Sequence, residues 1–177
     1  MSHQLLDATR LGLVLTRMAH QIADRNGDEN GVIVVGVQSG GIHLARRLAL
    51  LLREIWKRDV PHGTLDVSMH RDDLDERGTL IMRSTNLPGD ITGRTVVLVD
   101  DVLNSGRTAR AALDALNDFG RPRRIQLAVL VDRGGRELPI AADFVGETAS
   151  PRANQRIDVH LTEHSQRDEV LVEDATS

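Results

Sequence analysis

The sequence predicts an α/β protein built on a doubly wound, mostly parallel sheet, and three observations carry that expectation. Val32–Val37, residues 95–99 and residues 124–131 are near-continuous apolar runs rich in valine, as expected of strands covered on both faces. Segments with helical spacing alternate with them, which calls for crossover connections between parallel strands. Two of the strand-to-helix turns, at 38–41 and 103–106, combine glycine with a serine hydroxyl. Ligands of such sheets bind beyond the carboxyl ends of the strands, where both turns would lie.

In chain order, Leu11, Val14, Leu15, Met18, Ala19 and Ile22 recur at helical spacing within 5–25, and Asn26-Gly27 ends the pattern. The strand at Val32–Val37 is followed by the turn Gln38-Ser39-Gly40-Gly41 and a helix over Ile42–Trp56 with leucines on its buried side. A short strand is expected at 65–69. Residues 70–94 are polar and carry Arg71-Asp72-Asp73, Gly78, Pro88-Gly89 and Gly93; they read as a hairpin or flexible flap, not a core element. A strand at 95–99, a helix at 107–119 closed by Gly120, and strands at 124–131 and 143–146 follow. After a polar loop at 147–156, residues 157–161 and 170–172 read as a terminal hairpin around 164–168. The expectation is one domain over 1–177, with the flap at 70–94 and a C-terminal loop and hairpin at 147–177.

Composition narrows the function classes. A chain of 177 residues is long enough to bury a sizeable core, and with no cysteine it can form neither a disulfide nor a thiolate zinc site. The formal charge of −4 provides no general attraction to nucleic acid, although a local basic patch is compatible with it. Two Phe, one Trp and no Tyr leave little for an aromatic base-stacking platform. The N-terminal residues lack the pattern of a secretory signal, and the longest apolar run, around 48–52, is too short to cross a bilayer. A cytoplasmic enzyme or regulator is expected. None of the seven histidines has a zinc-protease spacing.

Residues 95–108, TVVLVDDVLNSGRT, are the most informative stretch. An apolar run meets two adjacent carboxylates, Asp100 and Asp101. The turn Leu103-Asn104-Ser105-Gly106 follows, and Arg107-Thr108 open an Ala-rich helical pattern. Backbone N–H groups at 105–108, the hydroxyls of Ser105 and Thr108 and the helix dipole would converge on a phosphate. The acidic pair would face sugar hydroxyls or a Mg²⁺-bound polyphosphate. An ordinary βα junction capped by aspartate is the plain alternative, but two carboxylates followed by S-G-R-T are uncommon in one. The turn at 38–41 is a second candidate anion site, and a simple glycine turn is its alternative. Arg71, Asp72 and Asp73 are charges that could close over such a ligand, or a solvated loop.

The stretch resembles the phosphoribosyl-pyrophosphate (PRPP) motif of type I phosphoribosyltransferases. VLVDRGGRELPIAADFVGE at 129–147, HRDDL at 70–74, DITGRTVVLVDDVL at 90–103 and LTRMAHQIADRN at 15–26 are similar to the PyrR family, whose members are pyrimidine operon attenuation proteins and uracil phosphoribosyltransferases. The resemblance covers most of residues 11–147. It implies the type I phosphoribosyltransferase fold with a flexible flap or hood, and conversion of uracil and PRPP to UMP and pyrophosphate. Asp100 and Asp101 would hold the ribose and, through substrate or water, Mg²⁺, with Arg71 as a third catalytic group. Ser105, Gly106, Arg107 and Thr108 would cradle the 5′-phosphate beside Val102, Leu103 and Asn104. Ser39 and Gly40 would face pyrophosphate, Arg71 and Asp72 would lie on the closing flap, and Val131, Asp132 and Arg133 would border uracil through backbone groups. The family also implies a homo-oligomer, dimer or tetramer, and UMP-responsive binding of a pyr mRNA leader. Arg17, His20, Arg25, Arg133, Arg136 and Arg152 are candidates for the RNA surface.

The sequence departs from the family pattern at several points. Ser39-Gly40-Gly41 replaces Thr-Arg-Gly, which removes a charge-assisted contact of about 1.5–3 kcal/mol. Confined to the transition state, that is a rate factor of roughly 10–150. A catalytically weak PRPP/UMP sensor acting through RNA or protein partners is therefore the alternative function, and arginine at position 40 should then raise turnover about tenfold or more. Asn104 and His70 each stand where the family has Tyr, and residues 146–152 replace Gly-Lys-Asn-Ile-Pro-Thr-Ser.

Overall fold

The computed structural model describes residues 3–27, 30–72 and 83–175. Five parallel strands, β2 (Val32–Val37), β3 (His62–Leu65), β4 (Thr95–Leu103), β5 (Arg124–Asp132) and β6 (Phe144–Thr148), form one sheet in the order β3-β2-β4-β5-β6. The doubly wound parallel expectation is borne out. The helices α1 (Ala8–Asn26) and α2 (Ile42–Trp56) cover one face, and α3 (Arg107–Leu116) covers the other. A separate antiparallel sheet joins β1 (His3–Leu6), β8 (Glu169–Asp174) and β7 (Gln155–His160).

Alternation of side chains along each strand sorts the core into two layers. Val32, Val34, Val97, Val99, Ala128 and Leu130 pack on the α1/α2 side, whereas Ile33, Val35, Val96, Leu98, Leu127 and Val129 pack on the α3 side. A continuous valine run is what a strand with two buried faces requires. The chain moves outward from β2 to β3, then returns to place β4 on the other side of β2. The crevice at this reversal opens beyond the ends of β2 and β4, so the turns at 38–41 and 104–106 meet there.

Several expected boundaries are corrected. The first helix begins at Ala8 because Asp7 caps it, accepting from the Arg10 N–H at 2.8 Å; Leu5 and Leu6 belong instead to β1, paired with β8. That pairing joins chain ends, which periodicity cannot reveal. The third strand is His62–Leu65, and Ser68–His70 is a short 3-10 turn, not part of a strand. The acidic pair lies within β4, because backbone pairing with β5 carries the strand through Asp100 and Val102 to Leu103. Segment 70–94 does reach the core: Ile91 is fully buried on the α3 side. Its residues 73–82, including Asp73, lie outside the described residues. The third helix ends at Leu116, three residues short of the expected limit.

The antiparallel β1-β8-β7 sheet, or hood sheet, is tied to the main body through its β7–β8 loop by Arg47 of α2. Its guanidinium donates to Glu163 at 2.5 and 2.8 Å and to Asp168 at 2.7 and 2.9 Å. Hydrogen bonds from Arg47 hold the Asp168 carboxyl down at about 2. A carboxyl with a depressed folded-state pKa stabilises above its unfolded value and loses that contribution as pH falls through the folded one. The destabilisation caused by Asp168→Asn should therefore be fully present at neutral pH and shrink between about pH 4 and pH 2. Thermal melts across that window test it; a difference independent of pH would refute the assignment.

Candidate functional site

Asp100 and Asp101 are neighbours on a strand, so their side chains leave it on opposite faces. Asp100 lines a small cavity on the α3 side with Asn104, Ser105, Gly106 and Thr108, whose walls also include Val102 and Leu103. Asp101 lines a cavity of about 360 Å³ on the α2 side with Ser39 and Gly40. The strand thus divides one crevice into two compartments, each with a carboxylate and a glycine-containing turn.

Burial of its carboxyl, followed by the neighbouring Asp101 charge, pushes Asp100 well above the usual carboxylate range, and the nearby Arg71 charge partly offsets this. The backbone N–H of Asp101 donates to Asp100 Oδ1 at 2.9 Å, and that of Val102 donates to Asp101 Oδ1 at 2.7 Å. Among the described residues no group of three or more His, Asp or Glu side chains converges as a metal cage. One carboxylate in each compartment suits a cation that takes most of its ligands from water and substrate phosphates, the habit of Mg²⁺.

The turn between β4 and α3 depends on Gly106, whose φ of 92° lies in the left-handed region and sets the helix start at Arg107. The Arg107 N–H reaches Ser105 Oγ at 3.3 Å, so one cradle donor is held within the turn itself. Arg71 donates to Thr108 Oγ1 at 2.8 Å, which brings the start of the flap onto the cradle. Asp72 follows it there, accepting from Arg107 at 2.5 Å and Arg110 at 3.4 Å. Arg107 also holds Glu137 at 2.9 Å, and these two carboxylates keep its guanidinium protonated.

Gly41 is fixed by close approach. A Cβ there would lie 2.0 Å from the Val99 carbonyl oxygen and 2.8 Å from the Val37 nitrogen. At Gly40 a Cβ would lie 2.2 Å from Asp101 Oδ2. This revises the expected gain from arginine at position 40: the Asp101 carboxylate occupies the space any side chain there would enter, and it must move first. The Gln38–Ser39 peptide is cis.

Residues 131–133 lie beside the cradle through the backbone, with the Arg133 N–H donating to the Leu103 carbonyl at 3.0 Å. Val131 is fully buried, backbone included, between Val102 of β4 and Glu147 of β6, so any ligand contact falls to the residues just beyond it. Asp132 accepts from Arg136 at 2.5 Å, and that bond holds its carboxyl below the usual range. Arg136 also donates to the carbonyls of Ile140 at 2.8 Å and Asn104 at 2.9 Å, so one guanidinium joins the loops that follow β4 and β5. Arg136→Ala should cost about 1.5–3 kcal/mol, a fall in Tm of roughly 3–12 °C. Calorimetry checks this; a shift below about 1 °C would show that the loops are held by other contacts.

The candidate RNA-facing cations are partly committed inside the fold. Arg17 donates to the carbonyl oxygen of Gly146, Arg25 lies 3.6 Å from Asp143, and Arg133 donates to the Gln155 carbonyl at 3.1 Å. His20 is exposed on α1. Sequence reasoning missed His43, Arg83 and His164, which line the Asp101 compartment. His43 follows Gly41 closely, a signal that was available; His164 lies more than a hundred residues further on and had none.

A crevice at the switch point of a parallel sheet, with an acidic pair beside a glycine-serine turn at a helix start, is the arrangement of a phosphoribosyltransferase. Residues 1–162 match the Phosphoribosyl transferase domain family. The crystal structure of the hypoxanthine phosphoribosyltransferase of Trypanosoma cruzi is similar in fold, with a TM-score of 0.73 at 18% identity, covering 98% of this chain and 97% of that one. The chain is also 55% identical to Bifunctional protein PyrR of Roseiflexus sp. strain RS-1, over 90% of this chain and 88% of that protein. It is 52% identical to Bifunctional protein PyrR of Streptomyces coelicolor, over 95% and 88% of the two chains. The chain belongs to the phosphoribosyl transferase family and, within it, to the PyrR proteins.

Proposed function

We propose that the chain transfers a phosphoribosyl group from PRPP to uracil, giving UMP and pyrophosphate, and that the same site senses UMP for regulation of pyrimidine operon expression. The observation that carries this reading is the division of one crevice by β4, with Asp100 on the cradle side and Asp101 on the Ser39-Gly40 side. In this reading the cradle, Ser105, Gly106 and Thr108, takes the 5′-phosphate, while Val102, Leu103 and Asn104 wall its ribose end. The acidic pair holds the ribose hydroxyls. Ser39 and Gly40 face pyrophosphate, and the backbone of 132–133, just beyond the buried Val131, borders uracil. Bound Mg²⁺, held by Asp100 and Asp101 through water or substrate, would neutralise phosphate charge.

In the transfer, the bond from C1 of the ribose to pyrophosphate breaks through an oxocarbenium-like state. N1 of uracil forms the new bond and loses its proton. The chain contributes positioning and a preorganised electrostatic environment. Arg71, already on Thr108, would help close the flap and exclude water, and Asp72 would fasten it through Arg107. Asn104 offers no general base, so the uracil proton goes to solvent or to the leaving group. We further read the chain as one domain with a homo-oligomeric assembly and a pyr mRNA leader as partner.

The test is UMP formation from uracil, PRPP and Mg²⁺, with Asp100→Asn/Asp101→Asn as the blank. Turnover that vanishes in the double variant supports the reading. Absent turnover with retained UMP binding would favour the weak-sensor alternative, which the missing side chain at Gly40 motivates. For the regulatory role, leader RNA binding should weaken steeply with salt and strengthen with UMP. No UMP-dependent binding at low salt would end that part of the proposal.

A further inference from the structure

The Asp101 compartment holds a cluster of side chains that the reading above does not use. His43, on the first turn of α2, and His164, in the loop between β7 and β8, stack with ring centroids 5.6 Å apart and planes 28° from parallel. Both line the cavity of about 360 Å³ that Ser39, Gly40 and Asp101 also line, and Arg83 completes its wall. Three nitrogen-bearing side chains from three separated segments therefore face a space that also contains a carboxylate. A cavity of that volume is large for water alone and of the right order for a small polar ligand.

The arrangement is prepared in advance. The His164 loop is anchored by Arg47, which takes Glu163 and Asp168, while Asp168 Oδ1 accepts the Thr162 N–H at 2.7 Å. Glu163 lies near His43, but its charge is committed to Arg47 at 2.5 Å, so it does not cancel the donors in the cavity. Asp101 is the remaining anion on the wall. A phosphate ligand would meet it through a divalent cation, whose charge separates the two. Imidazole and guanidinium donors then face the far side of the ligand, with charge-assisted hydrogen bonds available from each.

We propose that His43, His164 and Arg83 form the recognition surface for the diphosphate group of the substrate and product, taking the place of a side chain at position 40. This rests on the phosphoribosyl-transfer reading above and extends it to residues that reading leaves idle. The stack spans the main body and the hood sheet, so diphosphate binding draws the two together. UMP, which has no diphosphate, reaches the cradle and the acidic pair without touching these three residues.

Titration calorimetry on the full chain tests the proposal, with UMP, PRPP and pyrophosphate as separate ligands in the presence of Mg²⁺. His43→Gln/His164→Gln should weaken PRPP and pyrophosphate by at least about tenfold and leave UMP within about twofold. Arg83→Gln, at an exposed position where folding is not at stake, should show the same selective loss. Unchanged pyrophosphate affinity in both variants overturns the proposal while leaving the phosphoribosyl reading intact. So does an equal weakening of all three ligands, which would mark the histidines as structural. Wild-type protein that binds neither UMP nor PRPP overturns the underlying reading and this proposal with it.

Discussion

Asp100→Asn should stabilise the protein at neutral pH and remove most of its activity. The folded chain holds the Asp100 carboxyl well above the ordinary range, chiefly through burial and secondly through Asp101. Between the unfolded and folded pKa values the native state binds more protons than the unfolded chain, so stability falls as pH rises through that interval. At neutral pH, above the unfolded value, the native state carries a cost from this strained carboxyl. Asparagine removes it and keeps an oxygen to accept the Asp101 N–H, now at 2.9 Å. A gain of about 0.5–2 kcal/mol, or roughly 1–8 °C in Tm, is expected at pH 7. It should diminish toward about pH 4, where the unfolded carboxyl also binds its proton. Turnover should fall by about a hundredfold or more, because in the proposed reading this charge is aimed at the reacting sugar. Destabilisation at pH 7 would show that the carboxylate is a structural acceptor and not a strained functional group.

The second large effect is expected at Gly41. An added methyl group would be driven against the Val99 carbonyl oxygen at 2.0 Å and both backbone polar atoms of Val37, at 2.8 and 2.9 Å. These atoms belong to the two central strands and cannot rotate aside as a side chain can. Gly41→Ala should therefore cost about 3 kcal/mol, a fall of roughly 6–12 °C in Tm. It should also displace the Ser39-Gly40 turn, so turnover should be lost well below the melting temperature. Gly12→Ala is the control: the position is exposed in α1 with nothing within 4 Å, and alanine there should stabilise by about 0.5–1 kcal/mol. Equal effects at the two positions would contradict the close-packing argument.

Much of the fold was legible because its signals are local. A strand with two buried faces needs an unbroken apolar run, and Val32–Val37 is buried at every position. The helix Ile42–Trp56 shows its leucine stripe and was located to the residue. The two turns were visible as glycine and hydroxyl clusters after strands. The flap misled: Leu87 and Ile91, which reach the α3 side of the core, are separated by Pro88-Gly89-Asp90, and two residues carry no period. Asp100 and Asp101 looked like the end of a strand because aspartate disfavours one, yet ladder bonds to β5 outweigh that preference.

By itself, then, the sequence determined the alternation of elements, the acidic pair and the two glycine-serine turns, since each follows from periodicity or spacing within a few residues. Tertiary structure decided what those parts face. Pairing with β5 extended β4 far enough to send Asp100 into one compartment and Asp101 into the other. The Asp101 carboxylate took the space beside Gly40, and the Arg47 anchor set the loop that carries His164 against His43. Such contacts join residues far apart along the chain, and they depend on how whole layers pack against one another.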